Sequence, residues 1–301
     1  MKKILFTFLL GTSFVFAQSA GNSGLSFLKF GFGARNIAMG DAGNSASNDL
    51  TALFYNPARL TLIDNNEVLF MHNRWIQDVN SEVFGIKWEM FGIPIAAGFN
   101  YTAVNDIEIR TQPTSPEYPV PTFDAKYFFG SLSTGFNVTK NIAAGATVRY
   151  LYEGLLNDEA NGWGFDLGVC YTSPINGLTF SSVLKNIGSM DALRNEATKL
   201  PTDFRLGSAY NFKIESAKLD LIAVGEFQKY LDTDDIHFNL GGDAVYEQTF
   251  ALRLGYQTGY ESKGFTGGIG LIWGSLRFDY AYMPFSLGLG NANLFSILFK
   301  F

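Results

Sequence analysis

The chain has 301 residues, of which 16% are aromatic and only 17% charged, with 32 glycines. That balance excludes an ordinary solvated enzyme surface and suits a β-barrel in lipid, with aromatic girdles and glycine wherever strands bend. A net charge of −6 excludes a nucleic-acid partner, which wants a basic stripe.

Lys2 and Lys3 precede an apolar run, Ile4 to Phe16, broken by Gly11, Thr12 and Ser13. With Val15-Phe16-Ala17 as a cleavage site, residues 1–17 read as a secretory signal and Gln18 as the first mature residue. No later window is long and apolar enough for a spanning helix, so an exported chain of this kind crosses a membrane only as a closed barrel.

Residues 18–65 form an N-terminal plug segment, distinct from everything after them. Gln18 to Asn22 is a lead, and Leu25 to Gly31 reads as extended. Gly33 to Leu60, GARNIAMGDAGNSASNDLTALFYNPARL, has no period of two. Ala34 to Ala38 suits a short helix. Asn48-Asp49 suits the N-cap of a second helix, Leu50 to Tyr55, which Pro57 stops. Ala58 to Ile63 suits one more turn.

Residues 66–301 alternate. Period-two segments fall at 67–75, 81–91, 93–104, 125–138, 142–152, 162–172, 178–187, 202–212, 218–229, 236–246, 249–260, 265–273, 275–283 and 293–301. These are about fourteen antiparallel strands, of the length a tilted strand needs to cross a bilayer. One face is apolar and aromatic, as in Phe250, Leu252, Leu254 and Tyr256. The other is small or polar, as in Ala251, Arg253, Gly255 and Gln257. The fold class is therefore an all-β transmembrane barrel with a short helical plug. Connections alternate in length, with short turns such as 139–141 and long ones such as 105–124, 153–161 and 188–201. The longest holds Pro113, Pro116, Pro119 and Pro121 and should be extended. Short periplasmic turns and longer outer loops place both termini in the periplasm of a Gram-negative-type bacterium.

The last strand ends on Phe295, Ile297, Phe299 and Phe301. It closes the barrel, and it is similar to the terminal signal by which barrel assembly machinery recognises outer-membrane proteins. The inward face carries Arg149, Asp166, Lys185, Arg205, Asp220, Glu226, Asp243, Arg253, Arg277 and Asp279. Mixed signs favour a network of ion pairs filling the lumen over a pore ringed by one sign. His72 and His237 lack metal-ligand spacing, and Cys170 is single, so no metal or cofactor site and no catalytic motif is expected. A lipase would need a serine within reach of one of the histidines.

Gly33–Leu60, Leu184-Lys-Asn-Ile-Gly188, Leu200-Pro-Thr-Asp-Phe-Arg-Leu-Gly207, Ala251-Leu-Arg-Leu-Gly-Tyr256 and Phe278-Asp-Tyr-Ala-Tyr282 occur in order along the mature chain. Together they resemble the PorV/PorQ group of outer-membrane barrels, distantly similar to FadL transporters. The resemblance implies a fourteen-stranded, FadL-like, non-enzymatic barrel with an N-terminal plug. Gly33, Ala34, Arg35, Met39, Gly40, Asn56, Pro57 and Ala58 then match the plug motif. It also implies an accessory role in type IX protein secretion or surface attachment, with translocon components or secreted cargo as partners. The alternative is a FadL-like channel for hydrophobic small molecules. This chain lacks the long outer insertions of PorV itself, through which cargo would be bound.

Overall fold

A computed structural model describes residues 24–110 and 120–301. The signal segment 1–17, the lead 18–22 and three of the loop prolines, Pro113, Pro116 and Pro119, lie outside the described residues. In chain order the strands are β1 (Glu67–Arg74), β2 (Val79–Met90), β3 (Ile93–Glu108), β4 (Thr122–Asn137), β5 (Ile142–Leu155), β6 (Asp158–Thr172), β7 (Leu178–Met190), β8 (Ala192–Leu193), β9 (Glu196–Ala197), β10 (Asp203–Ile214), β11 (Leu219–Tyr230), β12 (Ile236–Tyr246), β13 (Phe250–Thr258), β14 (Phe265–Trp273), β15 (Leu276–Phe285) and β16 (Gly290–Lys300). All but β8 and β9, a small loop hairpin, join one closed antiparallel barrel of 14 strands. Closure pairs β1 with β16, Phe70 opposite Ile297 and His72 opposite Phe295. Closure matters because lipid offers no partner for a free strand edge.

Alternation holds along the wall. In β13 the outward Phe250, Leu252, Leu254 and Tyr256 are exposed, while Ala251, Arg253, Gly255 and Gln257 are buried inside. In β16 Phe295, Ile297 and Phe299 point out, and Leu294, Ser296 and Leu298 point in; Phe301, just past the strand, is exposed. An outward band of large apolar side chains around a polar interior is the inverse of a soluble protein and the pattern of a membrane barrel. The short turns, at 91–92, 138–141, 173–177, 215–218, 247–249 and 274–275, share one rim with the start of β1 and the end of β16.

Two expected loops are partly strand. Residues 153–161 read as a loop because Glu153, Glu159 and Asn161 interrupt the apolar face, yet β5 and β6 pair up to a turn at Leu156-Asn157. Beyond the lipid band both faces of a strand meet water, so polar residues no longer argue against it. Tyr150 donates to Asn161 Oδ1 at 2.6 Å across this extension. Likewise β7 runs to Met190, and β8 and β9 occupy part of the expected 188–201 loop.

Residues 24–66 pass through the lumen as a series of single turns. Ser26–Lys29 forms a 3-10 turn where an extended segment was expected. One helical turn covers Ala34–Ala38, as the sequence suggests, a second Gly43–Ala46 and a third Ala52–Tyr55, and a 3-10 segment spans Pro57–Leu62. The Leu50–Tyr55 helix is shortened because Asp49 accepts from the Thr51 backbone N–H at 2.9 Å, which shapes a turn ahead of the helix.

Candidate functional site

The plug is held at two docking points, both built on inward-facing glycines in register. At the first, Gly135, Gly145 and Gly168 lie directly opposite one another on β4, β5 and β6. Asn56, Pro57 and Ala58 rest on them so closely that a Cβ at Gly168 would sit 2.0 Å from Asn56 Oδ1, and one at Gly145 would sit 2.4 Å from Ala58 N. Asn56 is fully buried and uses its whole amide. Its Nδ2 donates to Asn44 Oδ1 at 2.9 Å, to the Ser182 carbonyl at 3.2 Å and to the Val169 carbonyl at 3.3 Å. Its Oδ1 accepts from Ala58 N at 3.1 Å, capping the 3-10 segment that Pro57 opens. At the second point, Met39 and Gly40 lie against Gly241 and Gly255, opposite residues of β12 and β13. Gly40 has φ +73°, and a Cβ there would meet the Leu240 carbonyl at 2.6 Å. Its N–H donates to Thr266 Oγ1 at 3.0 Å, and its carbonyl accepts from Gln257 at 3.1 Å. Gly33, with φ +80°, lets Ala34 begin its turn against Thr51.

Between these points a closed ring of charge joins plug to wall. Arg35 Nε contacts Asp243 at 3.0 Å, Asp243 contacts Arg253 at 3.1 Å, Arg253 contacts Asp279 at 2.8 Å, Asp279 contacts Arg277 at 2.8 Å, Arg277 contacts Asp49 at 2.5 Å, and Asp49 returns to Arg35 at 3.5 Å. Three guanidinium groups alternate with three carboxylates, so each buried charge has an opposite neighbour on either side. Burial alone would raise the Asp49 carboxyl, but Arg277 and Arg35 outweigh it and hold the group well below the usual carboxylate range. Gly270 of β14 lies between Arg253 and Asp279. A Cβ there would fall 2.7 Å from Asp279 Oδ1 and 2.8 Å from Arg253 Nη1, so glycine is what lets the ring pass across that strand.

A separate group sits on the opposite wall. At a bulge between β6 and β7, Lys185 and Asn186 face Asp166 and both turn inward. Asn186 adopts φ +57°, its N–H donates to Asp166 Oδ1 at 2.8 Å, and Arg149 donates to Asp166 Oδ2 and Asn186 Oδ1, each at 2.7 Å. The Leu184–Gly188 motif is therefore a bulge that doubles the polar residues reaching the lumen. Arg205 bridges Asp203 at 2.9 Å and Asp41 at 3.4 Å, and Tyr55 donates to Asp41 at 2.5 Å.

Of the inward charges read from the sequence, Asp220 does not join these groups. Its side chain is 39% exposed at the short-turn rim, beside Lys213 at 3.2 Å. Strand parity assigns a face and says nothing of depth. Glu226 is buried, but with no cationic group within ion-pair distance among the described residues. Sequence reasoning missed Asp49 as a ring member, because the plug has no period from which to project it. It also missed the glycine rows, whose signal was legible as inward-parity glycines on consecutive strands.

Toward the long-loop end, the part of the interior around Phe129 and Trp75 is apolar. Phe27 stacks on Phe129 at 6.2 Å, Phe32 on Phe54 at 4.6 Å and Phe30 on Trp75 at 4.5 Å, with Leu151, Met190 and Leu200 completing the packing. His72 bonds Glu82 at 2.6 Å and His237 stacks on Tyr260 at 3.6 Å; neither is hydrogen-bonded to a serine among the described residues. Those residues hold no group of three or more His, Cys, Asp or Glu placed to bind a metal.

No protein-family model matches the chain, and no curated protein sequence matches it. Solved structures do. The chain is similar to the Pseudomonas putida toluene transporter TodX, with a TM-score of 0.64 at 13% identity over 90% of this chain and 97% of that one. It is similar to the Ralstonia pickettii toluene transporter TbuX, with a TM-score of 0.60 at 14% identity over 90% and 98%. A Pseudomonas aeruginosa FadL homologue aligns with a TM-score of 0.50 at 13% identity over 89% and 97%. The fold is that of the FadL-type closed barrels.

Proposed function

We propose that the chain is a plug-gated outer-membrane barrel that passes hydrophobic small molecules. The observation that carries this reading is the aromatic half of the lumen, filled by the plug's own Phe27, Phe30 and Phe32. Their side chains occupy a space whose walls suit an apolar guest, and moving residues 25–32 would vacate it. The shared fold with transporters of toluene supports the same reading. The described lumen is otherwise filled by plug and ion pairs, so passage requires the plug to move. The test is uptake of a hydrophobic fluorophore into liposomes holding the protein, compared with a variant whose plug is loosened at Asn56. Equal, background-level uptake by both would sink the proposal.

A second reading keeps the barrel closed and gives it an accessory role in type IX secretion or surface attachment. The filled lumen favours it, as does the resemblance to PorV/PorQ proteins, and its partners would dock on the rims. Deleting the gene and assaying surface display decides it, unchanged secretion being the negative result. Under both readings the termini face the periplasm, and Phe295, Ile297, Phe299 and Phe301 serve as the assembly signal. A protease site added after Phe301 should be cut only once the outer membrane is opened.

A further inference from the structure

Residues 30–33 of the plug run along the inner face of β1. The inward side chains there are Glu67, Leu69, Met71 and Asn73, and Trp75 continues the alternation just past the strand's end. Gly33 N donates to Met71 Sδ at 2.9 Å, and the Phe30 ring stacks on the Trp75 indole at 4.5 Å. Asn73 lies between these two contacts along the strand. This stretch of wall holds polar atoms that nothing meets. Trp75 is 5% exposed, and its Nε1–H has no acceptor among the described residues. Asn73 is buried as well, and its Oδ1 has no donor among them.

The neighbours are committed elsewhere. Ser81, directly opposite Asn73 on β2, accepts from Asn100 at 2.6 Å and from Thr102 at 3.0 Å. The Val79 carbonyl, across the turn, accepts the Trp75 backbone N–H at 2.8 Å. Phe30 cannot help, because an indole N–H lies in the plane of its ring and Phe30 covers the face. An unmet buried donor is costly, and an indole nitrogen can only donate. A wall built for hydrocarbon alone would do better with phenylalanine at position 75, which stacks as well and buries no polar atom.

We propose that Trp75 is the recognition donor of the lumen site. The guest that takes the place of Phe30 is a neutral, mostly apolar molecule carrying one hydrogen-bond acceptor (a ketone, ester, ether or hydroxyl), and that acceptor takes the Trp75 N–H. This inference rests on the reading that the barrel passes hydrophobic small molecules, and it narrows them. The body of the guest is apolar because Met71, Met283, Ala292 and Leu294 belong to the same packed cluster as Trp75. The guest is neutral because a single uncharged donor does not repay the desolvation of a carboxylate or an ammonium. With the plug in place, Phe30 covers the ring and leaves the N–H unmet, so the closed barrel withholds a hydrogen bond that an acceptor-bearing guest completes and a pure hydrocarbon does not.

The test measures guest binding by the full mature protein in lipid nanodiscs, with binding to empty nanodiscs subtracted. Acetophenone and cumene are the probe pair, since they share a shape and differ in a carbonyl oxygen. Trp75→Phe keeps a ring for Phe30 to stack on and removes the N–H. The preference for acetophenone over cumene should fall about tenfold from wild type to Trp75→Phe, a comparison in which differences in partitioning cancel. An independent reading on the unaltered protein is the indole N–H resonance of Trp75, which should move downfield with acetophenone and not with cumene. An equal preference in wild type and Trp75→Phe, or a Trp75 resonance that bound acetophenone leaves in place, would overturn this inference and leave the transport reading standing. A Trp75 N–H held by an ordered water gives that result. Binding of neither probe would overturn this inference together with the transport reading.

Discussion

Asn56→Ala is the substitution that most directly tests how the plug is held. Four hydrogen bonds go: three from Nδ2, to Asn44, Ser182 and Val169, and the cap on Ala58 N. Loss of the cap costs about 1 kcal/mol. The three amide bonds add about 1 kcal/mol each at most, less where the strand carbonyls keep their ladder partners. The sum is about 2–4 kcal/mol, or roughly 5–15 °C in melting temperature for a domain of this size. The site is fully buried, so water cannot readily replace the lost donors. The comparison is Leu287→Ala, in the turn between β15 and β16, where the side chain is 73% exposed. Thermal unfolding in detergent gives the stability, and single-channel recording in planar bilayers gives the opening. Asn56→Ala should melt lower and show conductance events that Leu287→Ala lacks. Equal melting and equal conductance in the two would show that Asn56 does not hold the plug.

Gly145→Ala should act on the same contact from the wall, since its Cβ meets plug backbone at 2.4 Å and backbone cannot rotate away. Overpacking of this kind costs about 1–3 kcal/mol, and Gly130→Ala, where a Cβ meets nothing within 4 Å, is the neutral control in the same melting assay. Arg253→Ala leaves Asp243 to Arg35 alone and Asp279 to Arg277 alone, so the ring keeps one uncompensated negative charge and should lose about 3–5 kcal/mol, read by denaturant unfolding. The ring should also resist acid. The Asp49 carboxyl is depressed in the folded state, so its stabilising contribution is complete above the unfolded value near 4 and is lost only as pH falls through the lower folded value. Glu67 interacts with Asp49, so the comparison is made on a Glu67→Gln background: there Asp49 and Asp49→Asn should differ in melting temperature by the same amount at pH 7 and pH 5, and a gap that closes between them would refute the ring's electrostatics.

The barrel was legible because lipid imposes a simple grammar. Outward residues such as Leu252 and Phe295 must be apolar, inward ones such as Arg253 and Ser296 need not be, and the difference repeats every second residue. That grammar stops at the membrane edge, which is why the β5–β6 extension was read as a loop and Asp220 as part of the interior. Within the plug each turn is too short to show a period, and its contacts are set by the wall rather than by its own sequence. Ala34–Ala38 was visible through local propensity, yet nothing local shows that Asp49 would meet Arg277, 228 residues on. The Asn56-Pro57 break was read correctly as a helix stop, while the glycines beneath it, legible one by one through their inward parity, needed the strand register to line up as one row.

Under the proposed gating, the charge ring sets how the plug leaves. Withdrawing the plug cuts two of the ring's contacts, Arg35 with Asp243 and Arg277 with Asp49. The wall keeps Asp243, Arg253, Asp279 and Arg277 as an unbroken zwitterionic chain, and the plug carries Arg35 away still facing Asp49. Neither fragment departs with net charge, so separation requires no counter-ion to follow. The ring's stretch of vacated wall would present two guanidinium groups and two carboxylates, and so no net charge, to whatever passed beside it.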